Sequence, residues 1–352
     1  MLTNMNIGSH IIDRESPVYI IAEMSGNHNC SLEKAVQIIR EAKACGADAV
    51  KLQTYRADTI TLDSTQADFL LPEGDPWHYK HNLYNLYAEA YTPWEWHSRL
   101  FEEASAVGID IFSSPFDLSA VDFLEELHCP AYKIASPEIT DIPLLRRVAQ
   151  TGKPVILSTG LGEPDDIELA VTTLRENGCS QVALLKCTAS YPAPPETMNL
   201  RTIPDMAKRF NCIAGLSDHT LGVGVPIAAV ALGAKIIEKH FVLSRAEKGV
   251  DSFFSLEPEE FYQMVDEVRK VEKALGSISY EVPGNFQNKF KIRRSLYVAK
   301  PIKQGDLFTP ENVKSVRPSW GLHPRYYDAI IGKRSKVALK LGDRLSLDYL
   351  DA

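Results

Sequence analysis

The sequence predicts an α/β fold, a (β/α)8 TIM barrel followed by a small second domain. Eight short apolar runs alternate with amphipathic helical stretches between about residues 17 and 272. Each run is continuously apolar, without alternation, as parallel strands covered on both faces require. The 352 residues suffice for one such barrel of ~250 residues plus a small partner.

The strands read, in order, VYIIAE (18–23), AVKLQ (49–53), IDIFSS (109–114), AYKIAS (131–136), PVILSTG (154–160), VALLKCT (182–188), IAGLS (213–217) and AKIIEKH (234–240). Helical periodicity separates them, as in SLEKAVQIIREAKACG (31–46), where Ser31 reads as the N-cap and Gly46 as the C-cap. DLSAVDFLEELH (117–128), EPDDIELAVTTLRENG (163–178) and EPEEFYQMVDEVRKVEKALG (257–276) follow the same pattern. A doubly wound sheet is the alternative, but the first strand–helix turn, AEMSGNHNCS, lacks GxGxxG. The stretch 54–96 exceeds an ordinary loop; its aromatics, among them Trp77, His78, Tyr79, Tyr84 and Tyr87, suggest either a sugar-stacking lid or a hydrophobic cover. The domains expected are a catalytic barrel over 1–276, a linker over 277–289 and a second domain over 290–352, where short strands and turns carry basic residues.

Composition excludes several classes. Hydrophobic residues make up 45% and charged ones 24%, the balance of a globular protein. A net charge of −8 gives no attraction to nucleic acid or an anionic membrane, so any anionic ligand must be held by a local positive cluster. The six cysteines form no CxxC pair and read as free thiols in a reducing compartment. No signal-like N-terminus and no apolar run of ~18 residues is present, so a cytoplasmic location and no membrane partner are expected.

A barrel of this kind builds its active site at the C-terminal strand ends. There the sequence places Glu23, Lys51, Gln53, Ser114, Lys133, Ser136, Ser158, Lys186, Ser217, His219, Glu238 and His240. Lysine is rarely buried unpaired, so Lys51, Lys133 and Lys186 within apolar strands point to a small ligand bearing phosphate and carboxylate. His219 and His240 end neighbouring strands and can face one Mn, Fe, Co or Zn ion, although a histidine pair without metal stays open. His28 is open as a third imidazole or a turn residue. Glu23, Glu138 and Asp251 are carboxylates where a polar substrate could meet them. A Schiff base on Lys133 or Lys186, as in an aldolase, is a second chemistry. No GxSxG elbow supports a serine nucleophile, and Cys187 in an apolar strand reads as inert more readily than as a nucleophile.

IAEMSGNHNCSLEKA, GADAVKLQTY, FSSPF, AYKIAS, GKPVILSTG, YPAPPETMNL, GLSDHTLG and ALGAKIIEKHF together resemble the sialic acid synthase family. RSLYVAKPIKQGDLFTPENVKSVRPSWGLHP resembles its antifreeze-like (SAF) domain. DFLLPEGDPWHYKHNLYNLYAEAYTPWEWH and VRPSWGLHPRYYDAIIGK are most similar to the family's pseudaminic acid synthases.

The resemblance implies a metal-dependent condensation of phosphoenolpyruvate with an N-acetylated amino sugar, giving a nine-carbon 2-keto acid and phosphate by C–O cleavage. For the pseudaminic branch the sugar is 2,4-diacetamido-2,4,6-trideoxy-L-altrose; N-acetylneuraminate and legionaminate synthases are the alternatives. By resemblance, Lys51, Ser114, Lys133, Ser136, Ser158 and Ser217 bind phosphoenolpyruvate, and His219 and His240 hold the metal, Mn2+ before Mg2+ or Co2+. Glu23, Gln53, Glu138, Tyr191 and Asp251 surround the sugar and reacting carbons, with Glu23 and Asp251 among the catalytic groups. Arg317 corresponds to the arginine that reaches the other subunit's site in a domain-swapped homodimer. Lys186 and Ala189 stand where the N-acetylneuraminate branch has His and Asn, which argues against N-acetylmannosamine. A non-catalytic, ice-binding role for the tail is disfavoured: residues 294–352 hold only Thr309 and many charges, without a flat threonine-rich face.

Overall fold

The computed structural model describes residues 4–282 and 289–351 and divides into two compact units, one ending at Gly276 and one beginning at Ser277. The linker expected over 277–289 falls partly on residues 283–288, which lie outside the described residues.

The first unit opens with a hairpin of β1 (Met5–Ile7) and β2 (His10–Ile12), then closes a barrel of eight parallel strands. These are β3 (Tyr19–Glu23), β4 (Ala49–Thr54), β5 (Asp110–Pro115), β6 (Tyr132–Ile134), β7 (Val155–Ser158), β8 (Val182–Cys187), β9 (Ile213–Asp218) and β10 (Ile236–His240). All eight predicted runs are strands, and β10 pairs with β3 to close the cylinder. Continuous burial along β3, β7, β9 and β10 explains their unbroken apolar character.

Period 2 sorts each strand into an inward and an outward set, and the register fixes which is which. Glu23 pairs with Lys51, Gln53 with Ser114, Cys187 with Ser217, Ser217 with Glu238, and His240 with Glu23. All of these therefore share the inner face. Gly215 allows the wall to close there: a Cβ on it would lie 2.3 Å from the Ile236 carbonyl oxygen.

The helices begin where capping chemistry dictates. In Leu32–Ala44 the Ser31 hydroxyl accepts from the Lys34 amide, and Gly46, at φ 88°, turns the chain one residue beyond the C-cap Cys45. Asp117 caps Leu118–Glu126 through the Ala120 amide at 3.0 Å. Pro164 and Pro258 open Pro164–Glu176 and Pro258–Leu275 at their first positions, where a missing N–H costs nothing.

The hairpin is an addition to the predicted elements, its strands being too short for periodicity to reveal. It lies across the strand starts, with the Asn6 amide donating to Gln181 Oε1 at 2.6 Å and His10 Nδ1 2.7 Å from Asp110 Oδ2. Met5, Ile7 and Ile12 seal that end of the core. A cleft of about 1340 Å3 beside it, lined by Arg14, Lys208 and Lys273 among others, contains none of the predicted site residues.

The second unit holds the antiparallel pair β11 (Ser295–Val298) and β12 (Val313–Val316), with isolated bridges such as Ile302 to Leu339. Its core is Leu296, Val298, Ile302, Phe308, Val313, Ile330, Leu339 and Leu345. Among the described residues no helix is long and apolar enough to cross a membrane.

Candidate active site

Four charges meet inside the barrel mouth. Lys51 Nζ lies 2.6 Å from Glu23 Oε2 and 3.7 Å from Glu238 Oε1; Lys133 Nζ approaches the same Glu238 oxygen at 3.7 Å. All four side chains are buried. Hydroxyls and amides complete the shell: Ser114 Oγ lies 3.3 Å from Lys51, Ser217 donates to Glu238 Oε1 at 3.1 Å, and Gln53 donates to Glu23 Oε1 at 2.9 Å.

Burial and partners pull these groups apart electrostatically. Burial raises Glu23 above the ordinary carboxyl range, with Lys51 opposing and Glu238 reinforcing. Burial also opposes the charge of Glu238, but Lys133 and Lys51 overcome it and hold that carboxyl below its usual value. Lys51 is raised by its two carboxylates against its burial, whereas Lys133 is lowered, chiefly by burial. The second ammonium is thus the less satisfied and the better anion receiver.

Above this cluster stand two imidazoles, their ring centres 5.3 Å apart. His219 Nδ1 lies 2.9 Å from the Thr188 carbonyl oxygen; only an N–H can make that bond, so the Nε2 lone pair is left for a ligand. Among the described residues His240 Nδ1 and Glu238 Oε2 are buried without hydrogen-bond partners, and burial with neighbouring cations keeps His240 neutral. These donors fit a divalent metal whose other positions would be filled by substrate oxygens or water. No ready-made group of three or more His, Cys, Asp or Glu ligands occurs among the described residues.

Further out, Asp251 accepts from the Ser25 hydroxyl and is raised by burial. Glu138 is pushed up to about 7 by burial, and among the described residues its Oε2 and Ser158 Oγ are buried without a partner. Buried polar atoms of this kind pair with water, an ion or a ligand. Ser136 accepts from the Gly160 amide at 2.8 Å, and Gly160 must be glycine because a Cβ would lie 2.8 Å from Ser136 Oγ and 3.1 Å from Cys187 Sγ.

One expectation changes, and one open choice closes. Lys186 pairs in register with Leu216 on the outward face, and its ammonium donates to the Cys187 carbonyl at 3.0 Å beside Glu196 and Asp205. Two lysines converge, not three, and the inward position belongs to Cys187, whose Sγ lies 3.9 Å from His219 Nδ1. His28 is a turn residue: Nδ1 accepts from the Cys30 amide and Nε2 lies 3.2 Å from Thr92 Oγ1, so neither nitrogen is left for a metal.

Sequence reasoning placed Glu238 at a strand end but gave it no role. The signal was present, because a position two before His240 on a strand shares its face. Phe254, buried 4.7 Å from the His240 ring, gave no signal beyond its apolarity. Arg317 is exposed just after β12 in the second unit.

The chain matches the NeuB family over residues 38–280 and the SAF domain over residues 293–350. It is 45% identical to a pseudaminic acid synthase of Campylobacter jejuni, over 97% of this chain and 98% of that protein. Against a pseudaminic acid synthase of Helicobacter pylori the identity is 41%, over 95% and 98%. The crystal structure of an N-acetylneuraminic acid (sialic acid) synthetase from Leptospira borgpetersenii, in complex with citrate, superposes with TM-score 0.73 at 32% identity, covering 82% of this chain and 95% of that one.

Proposed function

The chain belongs to the NeuB family, and from that premise we propose that it is an enzyme condensing phosphoenolpyruvate with 2,4-diacetamido-2,4,6-trideoxy-L-altrose to give pseudaminic acid, a nine-carbon 2-keto acid, and inorganic phosphate. The observation that carries this reading is the buried cluster of Lys51, Lys133, Glu23 and Glu238 beneath His219 and His240. It supplies positive groups for an anionic enol phosphate and negative ones for a carbon that turns cationic.

Lys51 and Lys133, with Ser114, Ser136, Ser158 and Ser217, hold the phosphate and carboxylate of phosphoenolpyruvate, so that a two-substrate encounter becomes an oriented one. Gln53, Glu138, Tyr191 and Asp251 face the sugar. C3 of the enol phosphate bonds to C1 of the open-chain aldehyde, whose oxygen gains a proton and becomes a hydroxyl. C2 is left electron-poor, and the Glu23 carboxylate stabilises that charge from a low-dielectric site. Water adds to C2 and gives up a proton; the C2–O bond to phosphate then breaks as the ketone forms. A divalent metal held by His219 and His240, Mn2+ in this reading, would act as a Lewis acid on the sugar aldehyde.

In the same reading the enzyme is a cytoplasmic, domain-swapped homodimer in which Arg317 completes the partner's site. The barrel over 1–276 is catalytic, 277–289 is the linker and 290–352 is the SAF domain.

The test is mass-spectrometric product analysis with a panel of 2-acetamido and 2,4-diacetamido hexoses, alongside phosphate release. The product is expected only with phosphoenolpyruvate plus the trideoxy sugar. Turnover of N-acetylmannosamine or of a legionaminate precursor in its place would reassign the substrate, and no phosphate release with any hexose would overturn the condensation.

A further inference from the structure

The candidate metal pair is set in a closed circuit of aromatic rings. Ring centres lie 4.4 Å apart from His219 to Tyr191, 5.5 Å from Tyr191 to Trp77 and 6.3 Å from Trp77 to Phe253. The circuit returns from Phe253 to Phe254 at 5.0 Å, to His240 at 4.7 Å and to His219 at 5.3 Å. Exposure grades along it. The histidines and Phe254 are buried, Tyr191 and Trp77 are half-buried, and Phe253 is 42% exposed.

Trp77 belongs to the long excursion after β4, and its indole N–H donates to the Val250 carbonyl at 2.9 Å. That bond ties the excursion to the loop bearing Asp251 and Phe253, and it uses the only polar atom of Trp77. The outer half of the circuit therefore offers apolar ring faces to whatever enters, with the indole donor already committed. Solvent-facing aromatics continuous with a buried polar centre are the lining of a mixed site, polar at one end and apolar at the other.

We propose that Trp77 and Phe253 are specificity-determining residues, forming an apolar wall that selects a hexose whose far end carries a methyl group where ordinary sugars carry hydroxyl. This rests on the condensation proposed above. With the aldehyde carbon at the imidazoles, an open six-carbon chain of ~1.5 Å bonds reaches about 6 Å, and a van der Waals contact of about 4 Å beyond its last carbon brings it against Trp77, the second ring from His219, and Phe253, the second ring from His240. A methyl there keeps the ring faces covered. A hydroxyl would lose its water against carbon, with the indole N–H already engaged by Val250.

The experiment compares kcat/KM for 2,4-diacetamido-2,4,6-trideoxy-L-altrose with that for its 6-hydroxy counterpart, using the full chain with Mn2+. The wild-type enzyme is expected to prefer the 6-deoxy sugar by about 10–100-fold, the range one apolar contact supports. Phe253→Ala is expected to cut that preference about 10-fold while leaving the KM for phosphoenolpyruvate unchanged, and Trp77→Phe to retain most of it. Trp77→Ala would also free the Asp251 loop, so Phe253→Ala is the decisive variant. A wild-type enzyme that turns over neither sugar refutes the proposed condensation. A wild-type preference that survives Phe253→Ala, or a variant that loses both sugars and phosphoenolpyruvate binding equally, refutes the apolar wall and leaves the condensation standing.

Discussion

Replacing Glu238 by Gln removes one charge from the four-charge cluster while keeping size and the Ser217 hydrogen bond. The carboxylate oxygen is 3.7 Å from both Lys51 and Lys133, so each attraction is worth about 4–5 kcal/mol at an effective dielectric constant near 20. Relief of the carboxylate's own desolvation returns several kcal/mol of that sum. The remaining cost has a ceiling, because Lys133 can shed its proton. Burial already lowers that ammonium, so loss of its proton limits the penalty. We therefore expect Glu238→Gln to destabilise the barrel unit by about 3–5 kcal/mol, the range for removing one partner of a buried ion pair. Phosphate or phosphoenolpyruvate should recover more stability in the variant than in the wild type, since an anion then meets a net positive pocket. Urea titration followed by tryptophan fluorescence, with and without phosphate, measures both effects. A loss under about 1 kcal/mol with no added response to phosphate would show that Glu238 does not balance the two ammonium groups.

Other consequences follow from the same geometry. Glu138, at about 7 in the folded chain against 4.5 for a free glutamate side chain, keeps its proton when the unfolded chain has lost it. Its contribution to stability is therefore greatest below about pH 4.5 and falls by about 3 kcal/mol as pH rises to 7, and Glu138→Gln should flatten the urea midpoint over that window. Lys51→Met should lower kcat/KM at least about 100-fold, as loss of a preorganised charge does, whereas Lys186→Met, altering the outer face, should change it less than about 3-fold; steady-state phosphate release separates the two. Chelation should halt phosphate release and Mn2+ restore it, with binding of Mn2+ lost from His219→Ala in a spin-resonance titration; undiminished turnover of metal-stripped protein would remove both histidines as ligands. Arg317→Ala should raise the sugar KM more than that of phosphoenolpyruvate, and equal losses would contradict its proposed role.

Much of the molecule was written locally. Eight continuous apolar runs with capped helices between them state a parallel barrel, because a strand covered on both sides cannot alternate. The spacing that ends two of those runs in His219 and His240 also put the imidazoles at one mouth without knowledge of any contact. The charges were legible as residues but not as a circuit: nothing in the chain order says that Glu238 stands between Lys51 and Lys133, since partners 105 and 187 positions away meet only when the cylinder closes. The same limit misplaced Lys186. Lys186 and Cys187 both lie in an apolar run, and only the pairing of Cys187 with Ser217 decides which of them faces inward. Local sequence fixes what a residue can do, whereas strand register fixes which face it shares. A shift of one residue reverses every side chain, so that choice belongs to the closed barrel alone.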